Sequence, residues 1–251
     1  MRVAGAPRRL ALDTVTYLAP KWRRVMWRCG YRTVMRYLNP TRYWRATPDL
    51  DDWIQTLSAQ ELDELTAAGW HVGVVQRGIG RAHQGGEAVG DSWGTAAAHN
   101  AAGVGLPAGC HIYCDCEWAG ADMSRSWPGP PPEPVQRAYI EAWARAVIRG
   151  GYRAGLYVSP DLRLDSAALY ALRGISSYWY CASATQAVDV RRAHLTQSLE
   201  YAAHLDGTIE PWDTQAHQGL QTRGQVLRFD ADMVSASRVR GVAEWPLVAA
   251  S

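Results

Sequence analysis

Cys110-His111-Ile112-Tyr113-Cys114-Asp115-Cys116-Glu117 is a short, mostly apolar run that ends on two acids. Its length and pattern predict a buried strand that delivers carboxylates to an exposed C-terminal tip. Side chains two apart on a strand share a face, so Asp115 and Glu117 point the same way, with backbones roughly 7 Å apart. Two acids so placed can hold different pKa values, one serving as acid and the other as base or nucleophile. Glycoside hydrolysis needs that division of labour. Cys114 and Cys116 take the alternate positions and are expected as buried thiols beneath a helix layer.

Outward from this strand, strand-like and helix-like runs alternate. Strands are expected at Arg9 to Val15, Thr33 to Leu38, Trp70 to Gln76, Cys110 to Glu117, Tyr152 to Val158, Ser177 to Ser183, Trp212 to Gln218 and Gln225 to Phe229. Helices are expected at Trp22 to Gly30, Ser58 to Ala68, Gly94 to Gly103, Pro134 to Arg149, Asp161 to Leu172, Val188 to Ala203 and Ala231 to Val239. The helix at Ser58 has the strongest start, an N-cap serine with Glu61 three residues on and Gly69 as its stop. Eight strands alternating with helices over 251 residues predict an α/β fold, a single irregular (β/α)8 barrel of the TIM type. One domain is expected over 1–251, with its core at about 10–240. Alternation alone does not show closure, so a doubly wound open sheet stays as the alternative. Long loops at Asn39 to Leu57, Arg77 to Trp93 and Trp118 to Glu133 each follow a strand, which sets them on the catalytic face of such a barrel. Trp44, Trp53, Trp118 and Trp127 lie in these loops.

Composition narrows the function classes. A net charge of +2 is too small to imply a nucleic-acid partner, and no stretch is long and apolar enough to insert in a membrane. Twelve Trp and twelve Tyr stand against one Phe; amphipathic aromatics suit either core packing or a surface that stacks on sugars. Five cysteines without a small-domain spacing argue against a disulfide framework. No cofactor motif is complete, since Gly78-Ile79-Gly80 lacks the rest of a dinucleotide fingerprint, and no metal is expected. Met1 to Pro20 does not read as a secretory signal, because Asp13 interrupts its apolar scrap. The expectation is synthesis in the cytoplasm, with action on a cell wall after lysis, holin release or secretion.

Acids recur at the ends of predicted strands: Asp13 on the first, Asp115 and Glu117 on the fourth, Asp230 on the eighth with Asp232 just beyond. In a closed barrel the first and eighth strands are neighbours and the fourth lies across the mouth, so these carboxylates would rim one opening. Crowded carboxylates cannot all ionise cheaply, so one pKa rises.

With those residues in place, the chain resembles the glycoside-hydrolase-like domain of unknown function 1906, a relative of the family 25 lysozymes. The resemblance is carried by Asp13, by Gly30-Tyr31-Arg32 leading to Met35-Arg36-Tyr37-Leu38, and by Leu57-Ser58-Ala59-Gln60-Glu61-Leu62. It continues through Ile112 to Glu117, Gly151-Tyr152-Arg153-Ala154-Gly155-Leu156-Tyr157, Gln215, and Phe229-Asp230-Ala231-Asp232. It implies a peptidoglycan-cleaving muramidase. Glu117 would then be the general acid, Asp115 would stabilise or assist attack on the oxocarbenium-like centre, and Asp13 and Asp230 would complete the acidic cluster. Asp232 departs from the asparagine common among the lysozyme relatives. Arg36, Tyr37, Gln76, Tyr157, Trp179, Gln215 and His217, all near expected strand ends, are the candidates for binding peptidoglycan or a related glycan. Two other classes compete. One is a glycan-binding barrel that keeps its acids for recognition. The other is a metal-dependent hydrolase or deacetylase using Asp13, Asp115, His111 or His217; it ranks last because His111 is assigned the strand face opposite Asp115 and no His-x-x-His-like spacing appears.

Overall fold

The computed structural model describes residues 9–38, 55–77, 85–116, 131–159, 162–181 and 193–234. Nine strands occur among them: β1 (Arg9–Asp13), β2 (Tyr31–Tyr37), β3 (His71–Arg77), β4 (His111–Asp115), β5 (Arg153–Val158), β6 (Ile175–Cys181), β7 (Ala193–His204), β8 (Ile209–Pro211) and β9 (Val226–Val234). Between them lie α1 (Pro20–Arg28), α2 (Ala59–Ala67), α3 (Gly86–Gly103), α4 (Glu133–Arg149), α5 (Ser166–Tyr170) and α6 (Thr214–Thr222). Ser58 caps α2 as expected, its side chain accepting the Glu61 N–H.

β1 to β6 pair in sequence order and in parallel. β7 pairs in parallel with β6, from Tyr178 opposite Ala193 to Cys181 opposite Gln197. β9 then pairs antiparallel with both β7 and β1. The circuit β1-β2-β3-β4-β5-β6-β7-β9 therefore returns to β1, with β8 attached outside it to β7. The last barrel strand runs against its neighbours, which is the fold's departure from an all-parallel (β/α)8 pattern.

Alternation along the strands sorts side chains into two cores. Leu12, Val34, Val74, Ile112, Cys114 and Leu156 pack outward with the helix residues Val25, Leu65, Ala97 and Trp143. Ala11, Met35, Tyr37, Val75, Tyr113, Tyr157, Trp179 and Cys181 form a separate inner cluster. Burying each large apolar side chain contributes about 1.5–3 kcal/mol. Gly155 lets the inner layer fit, because a Cβ there would stand 2.6 Å from the Tyr113 ring.

The structure corrects four sequence expectations. The helix expected from Gly94 begins at Gly86, because Gly90 and Gly94 are contact points: a Cβ would meet the Tyr139 and Trp143 carbonyl oxygens of α4 at 2.2 and 2.3 Å. Close helix packing thus outweighs the usual helix cost of glycine. In place of a helix at Val188 to Ala203, residues from Ala193 form β7, whose two flanking strands supply its hydrogen bonds. The expected strand at Trp212 to Gln218 is α6 from Thr214, started by Asp213, whose carboxylate accepts the N–H groups of Gln215 and Ala216. Ala231 to Val234 belong to β9 rather than to a final helix. Trp44, Trp53, Trp118, Trp127 and Glu117 lie outside the described residues.

Candidate active site

Parity and register decide which acids meet. Asp13 shares the inward face of Ala11 and ends β1, buried to 5% exposure. Asp230 stands directly opposite it on β9, and Asp232 opposite Ala11. Asp115 shares the inward face of Tyr113 and ends β4, with Arg77 and Tyr157 as its register neighbours. The expected carboxylates at Asp13, Asp115 and Asp230 thus line one barrel interior at the C-terminal ends of the parallel strands. Glu117, two residues beyond Asp115, lies outside the described residues.

The inner aromatics turn polar tips toward these acids. The Tyr37 hydroxyl donates to Asp13 Oδ2 at 3.2 Å. The Trp179 indole N–H donates to Asp232 Oδ1 at 2.8 Å. The Tyr157 hydroxyl donates to Gln197 Oε1, and the Tyr157 and Trp179 rings lie 4.7 Å apart. Tyr37, Tyr157 and Trp179 therefore sit inside the barrel beside the acids.

Asp232, absent from the expected catalytic set, has a strongly perturbed carboxyl. It is 1% exposed. Burial pushes its pKa well above the carboxylate range, and the charges of Asp13 and Asp230 push it further, against the hydrogen bond from Trp179. Its Oδ2 has no hydrogen-bond partner among the described residues. Asp232 is therefore pushed toward its neutral form, while Asp13 receives the Tyr37 hydroxyl. The sequence signal was present: Asp230-x-Asp232 is the same alternation as Asp115-x-Glu117.

The remaining candidates face elsewhere. Arg36 is fully buried on the outer face of β2. Its guanidinium binds Glu61 of α2 at 2.9 and 3.1 Å and the carbonyls of Thr14 and Gln55 at 2.6 and 2.9 Å. Glu61 also accepts the Leu18 N–H at 3.0 Å. This network props the segment after Asp13. Gln76 also faces the helices and accepts the Trp143 indole N–H at 2.7 Å. Gln215 is exposed on α6, and His217 is buried on the same helix, so neither projects from a barrel strand. Cys114 and Cys116 are buried thiols on the helix side, their sulfurs 3.5 Å apart, and burial raises the Cys114 pKa.

Metal chemistry finds little support. His111 shares the face of Asp115, four residues on, and stacks on Tyr113 at 6.2 Å; the opposite-face assignment does not hold. It nevertheless starts β4, about 13 Å from the strand's far end. His204, Glu210 and His217 place ligand atoms within 4.8 Å of one another. However, the Asp213 N–H donates to His217 Nδ1 at 2.9 Å. That leaves the ring proton on Nε2, directed at Glu210 Oε1 2.9 Å away. A metal ion would need the Nε2 lone pair. The set is instead a carboxylate between two imidazoles, and hydrogen bonds from His217 and then His204 lower the Glu210 pKa.

Comparison with known proteins fits this geometry. Residues 25–226 match the family described as Rv2525c-like, glycoside hydrolase-like domain. No curated protein matches the sequence. Among solved structures, the Mycobacterium tuberculosis Tat-secreted protein Rv2525c, in complex with L-tartrate, aligns with TM-score 0.58 at 15% identity, covering 90% of this chain and 95% of that one. A family 25 glycosyl hydrolase from Bacillus anthracis aligns with TM-score 0.52 at 12% identity, covering 93% and 91%. The modular autolysin LytC from Streptococcus pneumoniae, in complex with a synthetic peptidoglycan ligand, aligns with TM-score 0.51 at 12% identity, covering 91% of this chain but 47% of LytC. At these identities the likeness is one of fold.

Proposed function

This chain belongs to the Rv2525c-like, glycoside hydrolase-like family, and from that premise we propose that it cleaves glycosidic bonds of bacterial peptidoglycan. The observation that carries the reading is the acid cluster at the β1–β9 seam, where Asp13 and Asp230 face each other and burial raises the pKa of the neighbouring Asp232. Asp115 lines the same interior from β4. A glycosidase must hold one carboxyl neutral and another ionised in one site. Glu117 donates the proton to the leaving oxygen, and Asp115 stabilises the oxocarbenium-like centre. Asp13, held by Tyr37, and Asp230 orient water or the sugar N-acetyl group. Asp232 sits one inward position deeper than Asp230, and its raised pKa limits the negative charge buried there. That the modular autolysin LytC, of which this chain matches about half, was solved in complex with a synthetic peptidoglycan ligand supports the substrate class.

The test is release of reducing sugars from purified peptidoglycan by wild type, Glu117→Gln and Asp115→Asn, all checked for folding. Release by wild type alone supports a glycosidase centred on these acids. No release by folded wild type, across several bacterial walls and chitin oligomers, would favour the glycan-binding barrel.

A further inference from the structure

Two thiols stand behind the candidate acids and take no part in the chemistry proposed above. Cys114 and Cys116 flank Asp115 in the chain and lie on the helix side of β4, with their sulfurs 3.5 Å apart. Cys110 shares that side but lies about 13 Å down the strand from Cys114, too far to bridge to it. Residues two apart on an extended strand are separated by about 6.6 Å. That is the upper end of the Cα separations a disulfide spans, about 4.4–6.8 Å. Drawing the pair to the usual span of about 5.5–6 Å would shorten the strand end by up to about 1 Å. Cys116 is able to make that move, because Asp115 is the last ladder residue of β4, paired with Arg77 and Tyr157, and Cys116 lies beyond it.

A buried thiol pair is often no more than small apolar packing. One neighbour argues otherwise. Gln76 is the register partner of Cys114 on the same face. Its Oε1 accepts the Trp143 indole N–H at 2.7 Å, which fixes the orientation of the amide. Its Nε2 is buried and has no acceptor among the described residues, a costly arrangement in a packed interior. An oxygen or a negative charge on the thiol pair would give that amide a partner. Exposure sets the order of events: Cys116 is 7% exposed and Cys114 1%, so a small oxidant meets Cys116 first.

We propose that Cys114 and Cys116 form a reversible disulfide that switches the candidate active site off, with hydrogen peroxide as the oxidant. The Cys116 thiol, as its thiolate, attacks the peroxide and the O–O bond breaks. One oxygen stays on sulfur as a sulfenic acid, and the other leaves as water with the thiol's proton. The Cys114 sulfur then displaces the sulfenic oxygen, which takes the Cys114 proton and leaves as a second water. Two electrons have passed from the pair to the peroxide. Closure draws Cys116 toward Cys114 across Asp115, so it tilts the Asp115 carboxyl. Burial, and then the hydrogen bond with Cys116, raise the Cys114 pKa, which slows the second step and tunes the response to sustained oxidant. That the disulfide controls cleavage rests on the function proposed above, while its formation and its pull on Asp115 do not.

The experiment treats the full chain with hydrogen peroxide, unfolds it in iodoacetamide to block remaining thiols, and sequences tryptic peptide 82–125 by mass spectrometry. That peptide holds Cys110, Cys114 and Cys116. A parallel sample isotope-labelled at the aspartate carboxyls is followed by NMR, with Asp115→Asn identifying the Asp115 signal. The peptide should carry a blocked Cys110 and lack the thiol hydrogens of Cys114 and Cys116, and the Asp115 signal should move. Dithiothreitol should reverse both changes, and Cys116→Ser and Cys114→Ala should each show neither. Peptidoglycan hydrolysis should fall about 10²-fold on oxidation and recover on reduction. Oxidation of Cys116 to sulfinic acid without a bridge, no bridge at all, a bridge that leaves the Asp115 signal in place, or cleavage that persists in the bridged chain would overturn the proposal. A bridge that moves Asp115 in a chain that never cleaves would sink the glycosidase reading and leave the disulfide and its pull on Asp115 standing.

Discussion

Asp232→Asn tests the protonation pattern of the acid cluster directly. Asparagine has the shape of the neutral acid and can still offer an oxygen to the Trp179 indole N–H, now 2.8 Å from Asp232 Oδ1. In the unfolded chain the aspartate titrates near pH 3.9. In the fold, burial and then the Asp13 charge hold its pKa well above that. Over the interval between the two values the native state carries one more proton than the unfolded state. Wild-type stability therefore falls as pH rises, by about 1.4 kcal/mol per unit, and the loss ends once pH passes the folded pKa. Asp232→Asn removes that contribution, so its stability relative to wild type should climb steadily over the same range. Urea denaturation at half-unit pH steps measures it. Parallel pH profiles, or a variant destabilised by more than about 1 kcal/mol at pH 7, would mean that the native carboxyl is ionised and would refute the argument.

Three further outcomes are expected. Asp115→Asn should lower hydrolysis of peptidoglycan by about 10²-fold or more, measured as reducing ends released, with its thermal midpoint close to that of wild type. Glu61→Gln leaves the fully buried Arg36 guanidinium without its counter-ion and should cost about 3–5 kcal/mol in urea denaturation; a loss under 1 kcal/mol would mean that Arg36 is hydrated. Gly94→Ala forces a methyl to within 2.3 Å of the Trp143 carbonyl oxygen. It should destabilise by about 1–3 kcal/mol, although alanine is the better helix former, and a gain in stability would show that α3 and α4 pack less closely than described.

How far the fold could be read in advance depended on what stabilises each element. Through Cys181, apart from the first turns of α3, the chain carries its signals locally, with apolar strand runs, Ser58 as a cap and Gly30 and Gly69 as stops at positive φ. Beyond Cys181 the determinants are tertiary. Ala193–His204 is rich in Ala, Leu, Gln and Glu, which favour a helix, yet it lies between β6 and β9 and takes its hydrogen bonds from both. The opposite error at Trp212 to Gln218 came from weighting the aromatic and overlooking Asp213 as a cap. The site divides in the same way. Asp13 and Asp115 were legible because alternation was applied to their strands. Arg36 and Gln76 were misplaced because it was not: they share parity with Val34 and Val74, which belong to the outer core. Asp232 was placed among the acids at the barrel mouth and as a departure from a family pattern, but not in the catalytic set. Its importance comes from desolvation, which depends on the closed barrel around it.

That closure also bears on the near-absence of phenylalanine. A barrel interior holding Asp13, Asp115, Asp230 and Asp232 cannot be filled with hydrocarbon alone, because a buried carboxyl left without a donor is costly. The inner layer instead uses aromatics that bring a donor to the ring edge. Tyr37 serves Asp13, Trp179 serves Asp232, Tyr157 serves Gln197, and the Tyr113 hydroxyl meets Ser177 at 2.7 Å. Phenylalanine at any of these positions would fill the volume and withdraw the hydrogen bond. The one phenylalanine, Phe229, lies in the outer core against Tyr31 and Tyr201, away from every acid of the interior. Inside the barrel, the preference for Trp and Tyr follows from burying acids, before any sugar has to be considered.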